Sequence, residues 1–272
     1  MKKLLLASTA LVIGGPVFAA DMPVKAPPIA APASFSWSAC YVGGHVGAGW
    51  SHDEFSDPGY TLPGFGPFQN FAPAGSSIDV NGHAGALGGA QVGCDYQFAT
   101  NWVVGLAGDF SWANIRGQDS DPFFGGKNPG PVTLNSKTDE LATITGRLGY
   151  AWDHTMVYAK GGGAWAHDRD NIQNLGAWGP SFCAGNNIFG FGPCNPSGSD
   201  TRLGWTAGVG VEWAFTNHWS ALLEYDHYGF GTKSVALFDP NAGPGGMTGL
   251  ANVSESIDAI KVGINYRFGM TW

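Results

Sequence analysis

The last long stretch of the chain, Ile257 to Phe268, alternates between apolar and polar positions with a period of two. Its even positions are apolar or aromatic, as in Ile264 and Tyr266, and its odd positions are polar or small, as in Lys261 and Gly263. That period is typical of a β-strand with two chemically different faces. Seven earlier segments repeat it. The eight segments are Cys40 to Trp50, His83 to Phe98, Trp102 to Ala113, Lys137 to Trp152, Met156 to Ala166, Asp200 to Phe215, Trp219 to Phe230 and Ile257 to Phe268.

The apolar faces of these segments are too broad, and too aromatic at their ends, for the rest of the chain to cover. A sheet that lies in lipid has to close on itself, because an open edge would leave backbone N–H and C=O groups without partners. We therefore predict an all-β fold, an eight-stranded antiparallel up-and-down transmembrane β-barrel with its apolar face outward. A soluble eight-stranded barrel such as a lipocalin has the opposite polarity and is disfavoured.

The connections between the segments alternate between long and short. The short turns are 99–101, 153–155 and 216–218, and the long loops are 51–82, 114–136, 167–199 and 231–256. In outer-membrane barrels short turns face the periplasm and long loops face outside. Aromatic residues next to the short turns predict a periplasmic girdle of Phe98, Trp102, Trp152, Phe215, Trp219 and Phe268. The predicted outer girdle is Trp50, Trp112, Trp165 and Trp205.

The first residues indicate export from the cytoplasm. Lys2 and Lys3 precede an apolar run and a small-residue exit at Ala19, which predicts a signal peptide over 1–19. The Pro- and Ala-rich stretch 20–38 is expected to be a flexible periplasmic lead-in, and 39–272 the barrel. Removing the signal leaves a net charge of about −10, which argues against nucleic acid as a partner.

The inward faces carry five cations and five anions, a balanced set. An eight-stranded barrel is only wide enough for its own side chains, so these charges should pair in a poorly hydrated interior. Counting from the turns suggests Asp109 with Arg147, Lys160 with Glu212, and Lys261 with Glu224 or Asp226. The favoured interpretation is a structural plug of salt bridges, and the alternative is a narrow polar pathway. The predicted lumen charges are Asp95, Asp109, Arg147, Lys160, Arg202, Glu212, Glu224, Asp226, Lys261 and Arg267.

Four cysteines in an exported chain permit disulfides. Cys183 and Cys194 lie in one Gly- and Pro-rich segment and are expected to close a loop. Cys40 and Cys94 fall low on neighbouring strands and on one face. They pair only if the register brings their Cα atoms within about 7 Å, so this second pair stays open.

Several motifs in order resemble the small outer-membrane β-barrel proteins of alphaproteobacteria, the OmpA-like porin family. They are Y-V-G-G-H-V-G-A-G-W, N-W-V-V-G-L-A-G-D-F, L-G-W-T-A-G-V-G-V-E-W and K-V-G-I-N-Y-R-F. The resemblance implies a surface-exposed barrel in contact with outer-membrane lipid and lipopolysaccharide, and members are given structural, porin-like, adhesive or hemin-binding roles. Binding of hemin or a host factor through the loops is therefore a second alternative that the resemblance implies, and the loop ligand is unknown.

The end of the last strand also resembles the C-terminal signal that the barrel-assembly machinery recognises in such proteins. The residues concerned are Lys261, Gly263, Tyr266 and Phe268. Such proteins usually stop at the aromatic residue, whereas this chain continues for four residues to Trp272. Trp272 is the alternative terminal aromatic residue.

An enzyme is disfavoured, and no cofactor is expected. The seven histidines are dispersed and show no metal-ligand spacing. A lipid-directed site would need a Ser or His with an orienting acid near the outer rim, and His227 has no such partner evident in the sequence. Two classes of function remain: a structural or surface-interaction barrel, and a channel for small solutes.

Overall fold

The computed structural model describes residues 35–56, 77–121, 132–173, 197–238 and 247–269. The signal peptide, residues 20–34 of the lead-in, Trp272 and the predicted Cys183–Cys194 disulfide lie outside them. The described residues form strands and tight turns. In these ranges no helix reaches the length and apolarity needed to cross a membrane.

The described ranges contain nine strands in chain order. They are β1 (Ala39–Ser56), β2 (Ser77–His83), β3 (Gly85–Phe98), β4 (Trp102–Asp121), β5 (Val132–Trp152), β6 (Thr155–Gln173), β7 (Ser197–Ala214), β8 (Trp219–Phe238) and β9 (Met247–Gly269).

The sheet closes into an eight-stranded antiparallel barrel. We call each of the eight strand positions around the barrel wall a stave, because one position is filled by two shorter strands. Each strand from β3 to β8 pairs with the next strand in the chain, and β1 pairs with both β3 and β9. Strand β2 pairs with β1 and β4 and is separated from β3 by Ala84 alone, so the two strands form one stave. Because β1 bonds to β9 from Ala39 to Ser56, the barrel has no open edge along that seam. The predicted fold class is confirmed.

The strands are longer than predicted at the end with the long connections. Strands β4 and β5 stay paired up to Asp121 and Val132, and β8 and β9 up to Phe238 and Met247. Parts of the predicted loops 51–82, 114–136, 167–199 and 231–256 are therefore strand. Backbone pairing does not require apolar alternation, which disappears where both faces become polar.

Outside and inside have opposite chemistry. Large apolar side chains on the outer face are exposed, with Leu106 at 71%, Leu203 at 69% and Val46 at 67%, while charged side chains in the interior are buried. The aromatic residues next to the short turns, such as Trp102 and Trp219, also face outward. This inversion fits a protein whose outer surface contacts lipid.

The last four residues of the predicted lead-in are docked at the short-turn end. Trp37 is fully buried there, its backbone N–H donates to Gln97 Oε1 at 2.8 Å, and its indole Nε1–H donates to the Asp153 carbonyl at 3.1 Å. Phe35 stacks on the His154 ring at 4.8 Å. The expectation of a flexible segment as far as residue 38 is therefore wrong for 35–38, because Trp37 finds an apolar site with partners for its polar atoms.

Cys40 and Cys94, the pair that the sequence left open, form a disulfide between β1 and β3. They are register partners on those strands, and Cys94 is exposed on the outer face. The bond therefore joins two neighbouring staves close to the short turns.

Candidate functional site

The charged interior nearest the short turns contains two arginines and two carboxylates, which we call the lower cluster: Asp95, Arg147, Glu212 and Arg267. Arg147 holds the Asp95 carboxylate with two nitrogens, and its Nη1 lies 3.2 Å from Glu212 Oε2. Arg267 reaches both acids, at 2.8 Å to Asp95 and 2.9 Å to Glu212. The opposite charges are equal in number, and all four side chains are buried.

Aromatic rings complete the lower cluster. The Arg147 guanidinium carbon lies 4.7 Å from the centre of the Tyr41 ring, and that of Arg267 lies 4.6 Å from the Trp37 ring. Such cation–π contacts stabilise desolvated guanidinium groups. Arg267 also donates to the Trp37 carbonyl at 2.8 Å, so the docked N-terminal residue is tied to the charges.

A second group, the middle cluster, lies farther from the short turns and consists of Asp109, Lys160, Glu224, Asp226 and Lys261. Lys160 Nζ lies 2.6 Å from Glu224 and 3.0 Å from Asp226. Lys261 Nζ lies 2.9 Å from Asp109 and 3.0 Å from Asp226, one of the two partners that the sequence suggests. Because Asp226 and Asp109 each contact both lysines, these charges form one network across the lumen.

Two of the ion pairs suggested by counting along the strands are replaced by others. Arg147 is level with Gly105 and Asp109 with Thr143, which leaves a four-residue offset between Asp109 and Arg147, or about 13 Å along a strand. Lys160 and Glu212 are offset in the same way, because Lys160 is level with Gly208 and Glu212 with Met156. Arg147 therefore pairs with Asp95, and Lys160 with Glu224.

Glycines on intervening strands let these long side chains reach their partners. Gly105 lies between Asp95 and Arg147 in the register, and a Cβ there would come within 3.2 Å of Arg147 Cγ and press on the Asp95 carboxylate. Gly208 lies between Lys160 and Asp226, and a Cβ there would come within 3.2 Å of Lys160 Cε. Both bridges therefore span two strands over an interior glycine.

An apolar layer crosses the lumen beyond the middle cluster. Its buried members come from six staves and pack on one another. They are Leu87, Ile115, Leu141, Ala164, Ala166, Tyr228, Phe230, Ile257 and Ala259. A second apolar group at the short-turn end contains Trp37, Val103, Ala151, Met156, Tyr158 and Ala214. The lower and middle clusters thus lie between two apolar groups.

A third charged group, the outer cluster, lies beyond the apolar layer and consists of Asp53, Asp168, Asp170, Arg202 and Glu255. The guanidinium of Arg202 lies 3.3 Å from Asp168, 3.3 Å from Asp170 and 3.5 Å from Glu255. Among the described residues, three carboxylates therefore contact one cation, Asp53 lies close enough to interact with them, and all five side chains are buried.

The outer cluster lies beyond the outer aromatic residues. Asp53 and Asp168 each follow an outward tryptophan, Trp50 or Trp165, by three residues along strands that run towards the long loops. Arg202 precedes Trp205 by three residues on a strand that runs the other way. These groups are therefore outside the membrane-spanning part of the barrel.

Burial and crowding of like charges raise the pKa values of the outer carboxylates. Desolvation, followed by the negative charge of Asp170, raises the pKa of Asp53 to about 7. Desolvation raises the pKa of Asp170 to about 6, although Arg202 opposes the rise. The pKa of Glu255 is also raised, first by burial and then by Asp168.

The outer carboxylates overturn the predicted balance of interior charges. Arg202 is among the predicted lumen charges, whereas Asp53, Asp168, Asp170 and Glu255 fall in the predicted loops. The available signal was their spacing, because Asp53 continues the inward odd positions of β1 and Glu255 those of β9. The ten predicted lumen charges do lie in the interior, divided among the three clusters.

On the outer face, His227 has an acid beside it, contrary to expectation. Asp258 is its register partner on β9, and Asp258 Oδ1 lies 2.8 Å from His227 Nδ1. The same oxygen accepts a hydrogen bond from Tyr225 OH at 2.7 Å. The Asp258 carboxylate therefore has two hydrogen-bond partners at the height of the outer girdle. Within the described ranges, no set of three or more His, Cys, Asp or Glu side chains is arranged to hold a metal ion.

Known proteins resemble the chain over nearly its whole length. Residues 24–268 match the family model described as "Outer membrane protein beta-barrel domain". The 31 kDa outer-membrane immunogenic protein of Brucella melitensis is 29% identical, with 98% of this chain and 100% of that protein covered. The 25 kDa outer-membrane immunogenic protein of Brucella abortus is 26% identical, over 98% and 99%. Among solved structures, OprG from Pseudomonas aeruginosa is 12% identical with a TM-score of 0.41, over 85% and 97%.

Replacing Lys261 by Ala should destabilise the folded barrel by roughly 3 to 5 kcal/mol, because Asp109 and Asp226 would each lose a close cation in a dry interior. Urea unfolding in detergent measures the change. Lys137→Ala is the matched control, because Lys137 pairs with Asp139 at a partly exposed outer position, where a pair contributes about 1 kcal/mol or less. Equal stability of the two variants would contradict a dry network.

The wild-type barrel should lose stability as the pH rises from about 4 to about 7. The folded pKa of Asp53 lies above its unfolded value, so the folded state binds the extra proton in this window, and each pH unit costs up to about 1.4 kcal/mol. Asp53→Asn should make the decline shallower in urea unfolding at several pH values. Glu140→Gln, at an exposed position, should keep the wild-type slope, and an unchanged slope in Asp53→Asn would refute the assignment.

Proposed function

Because this chain belongs to the family of outer-membrane β-barrel proteins, we propose that it serves as a closed surface barrel with a structural or surface-interaction role. Its location in the outer membrane follows from the family and from the closed eight-stave barrel. The relatives are named as immunogenic proteins of the outer membrane rather than as enzymes. By analogy with these relatives, we propose that this protein is a surface antigen without catalytic activity.

The apolar layer across the barrel is the main support for the proposal that the lumen is closed. Leu87, Ile115, Leu141 and Ile257 are each at most 4% exposed, and they pack across the barrel between two charged clusters. An ion moving along the lumen would have to leave its hydration shell there, which is costly in an apolar constriction. The buried Trp37 supports a second closure at the periplasmic end.

The charged clusters below the apolar layer have a structural role in this proposal. The lower cluster is electrically balanced, and each of its arginines contacts both acids. Side chains held on two or three strands at once fix the register of the barrel. Polar interior residues thus replace the apolar core that a soluble protein would have.

The wild-type protein should give no steady current in a planar lipid bilayer. A general porin inserted under the same conditions is the positive control for reconstitution. Current steps of uniform size would contradict the closed lumen. The channel alternative would gain support if Lys160→Met then changed the preference for cations over anions without changing stability, because a hydrated pore screens its charges.

Lipopolysaccharide is the proposed lipid partner at the extracellular rim. In the described ranges, three cations on the outer face beyond the girdle are exposed: Arg116, Arg169 and Lys233. Arg169 also pairs with Asp139 at 3.0 Å and Lys233 with Asp200 at 2.6 Å, so a phosphate would share or replace these acids. Guanidinium and ammonium groups form strong charge-assisted contacts with phosphate. At the other end, Tyr266 and Phe268 are exposed on the outer face of β9, which suits recognition by the barrel-assembly machinery.

Added lipopolysaccharide should raise the melting temperature of the detergent-solubilised protein. The variant Arg116→Ala/Arg169→Ala/Lys233→Ala should lose most of that rise, because the rim cations would no longer meet the phosphates. Dephosphorylated lipopolysaccharide is the control ligand and should affect both proteins alike. An equal rise in wild type and variant with the phosphorylated lipid would refute the rim contact.

A further inference from the structure

Among the described residues, the outer cluster has four carboxylates and one cation, Arg202, so it carries more negative charge than this cation can compensate. Asp168, Asp170 and Glu255 approach Arg202 at 3.3 to 3.5 Å, whereas closest contacts in the middle cluster are 2.6 to 3.0 Å. Asp53 adds a fourth carboxylate. A buried charge without a partner is costly, so the fully ionised cluster requires additional positive charge.

Several carboxylate oxygens of the outer cluster also lack hydrogen-bond donors among the described residues. Asp53 is only 2% exposed and points into the cluster from β1, opposite the β6 carboxylates. Within the described part of the chain, Asp53 Oδ1, Asp168 Oδ1 and Asp170 Oδ1 accept no hydrogen bond. The other oxygen of each carboxyl group has a contact, because Ser51 Oγ–H donates to Asp53 Oδ2 at 3.3 Å and Arg202 lies 3.3 Å from Asp168 Oδ2 and from Asp170 Oδ2. Buried carboxylate oxygens normally have hydrogen-bond donors. The site thus has both unused acceptors and unbalanced charge.

We propose that the outer cluster is a binding site for an organic cation that carries primary ammonium groups. An ammonium group supplies positive charge and three N–H donors together, which match the unused oxygens of Asp53, Asp168 and Asp170. A metal ion fits less well, because the described acidic side chains do not converge in a metal-binding arrangement. The apolar layer beneath makes this a dead-end site rather than part of a conducting path.

Protons compete with such a cation. The charged groups that face one another are Asp53 from β1, Asp168 and Asp170 from β6, Arg202 from β7 and Glu255 from β9. His167 of β6 and Asp200 of β7 lie close enough to act on Asp168 and Asp170, and Ser136 and Thr138 of β5 are beside them. Burial favours the protonated carboxyl groups at low pH. An ammonium ligand therefore has to displace protons, so its affinity should increase with pH.

The test is isothermal titration of the detergent-solubilised full-length protein with spermidine, a triamine, near pH 8 and near pH 5.5. We expect one saturable site near pH 8 and affinity weaker by about tenfold or more near pH 5.5. Repeating the titration in two buffers with different ionisation enthalpies should reveal proton release on binding. Independence from pH, with no proton release, would overturn the proposal.

Variants separate the cluster from general attraction to an acidic surface. Asp53→Asn and Asp170→Asn should each weaken spermidine binding by about tenfold or more, on the scale of a lost charge-assisted hydrogen bond. Glu140→Gln removes one charge from an exposed position of β5 and should bind like the wild type. Folding of each variant is verified by circular dichroism.

Two further results would count against the proposal. Equal weakening in Glu140→Gln and Asp53→Asn would mean that spermidine binds the surface. Calcium chloride that binds tightly and excludes spermidine would identify a metal site in place of an amine site. The conductance measurement tests the closed lumen and does not depend on spermidine binding. Failure of the closed-lumen proposal can therefore be distinguished from failure of the amine-site proposal.

Discussion

Backbone hydrogen bonding in lipid is the constraint on which the rest of this structure depends. No water is available there to satisfy N–H and C=O groups, so the sheet has to close, and β1 pairs with β9 along its whole described length. Closure with eight staves fixes a narrow interior that side chains fill. The polar faces of the strands therefore point into a space with little water, and each interior charge needs a partner within its own layer.

The narrow interior explains why the pairs form over glycines. A long side chain such as Arg147 or Lys160 cannot extend straight towards the barrel axis in so narrow a lumen. It lies instead along the barrel wall, across the neighbouring strand, and reaches an acid on the next strand. Gly105 and Gly208 occupy the positions that are crossed. Replacing either glycine by Ala would place a methyl group where the bridging side chain now lies. These two glycines are thus determinants of charge pairing.

The sequence predicted the membrane part of this barrel well, because lipid imposes a strict alternation on it. The faces of Leu106, Val209 and Tyr266, and the inward direction of the lumen charges, could be read from a period of two. The outer ends of the strands could not, because Asp53, Asp168 and Glu255 lie where the outward residues are polar as well. The prediction of ion pairs also failed for Arg147 and Lys160. An error of four residues in the register of two neighbouring strands cannot be detected in a single sequence, yet it replaces one ion-pair partner with another.

Charge balance changes with depth in the barrel, and the change has a physical cause. Between the aromatic girdles the low dielectric of the surroundings makes an uncompensated charge costly. The lower cluster has two arginines and two acids, and the middle cluster has two lysines and three acids, each acid in contact with a lysine. Beyond the outer girdle, three buried carboxylates share Arg202 and Asp53 adds a fourth acid, at a height outside the lipid. The apolar layer of Ile115 and Leu141 separates the two regimes. The inner charges are thus set for permanent pairing, whereas the outer ones remain able to exchange protons and cations with the medium.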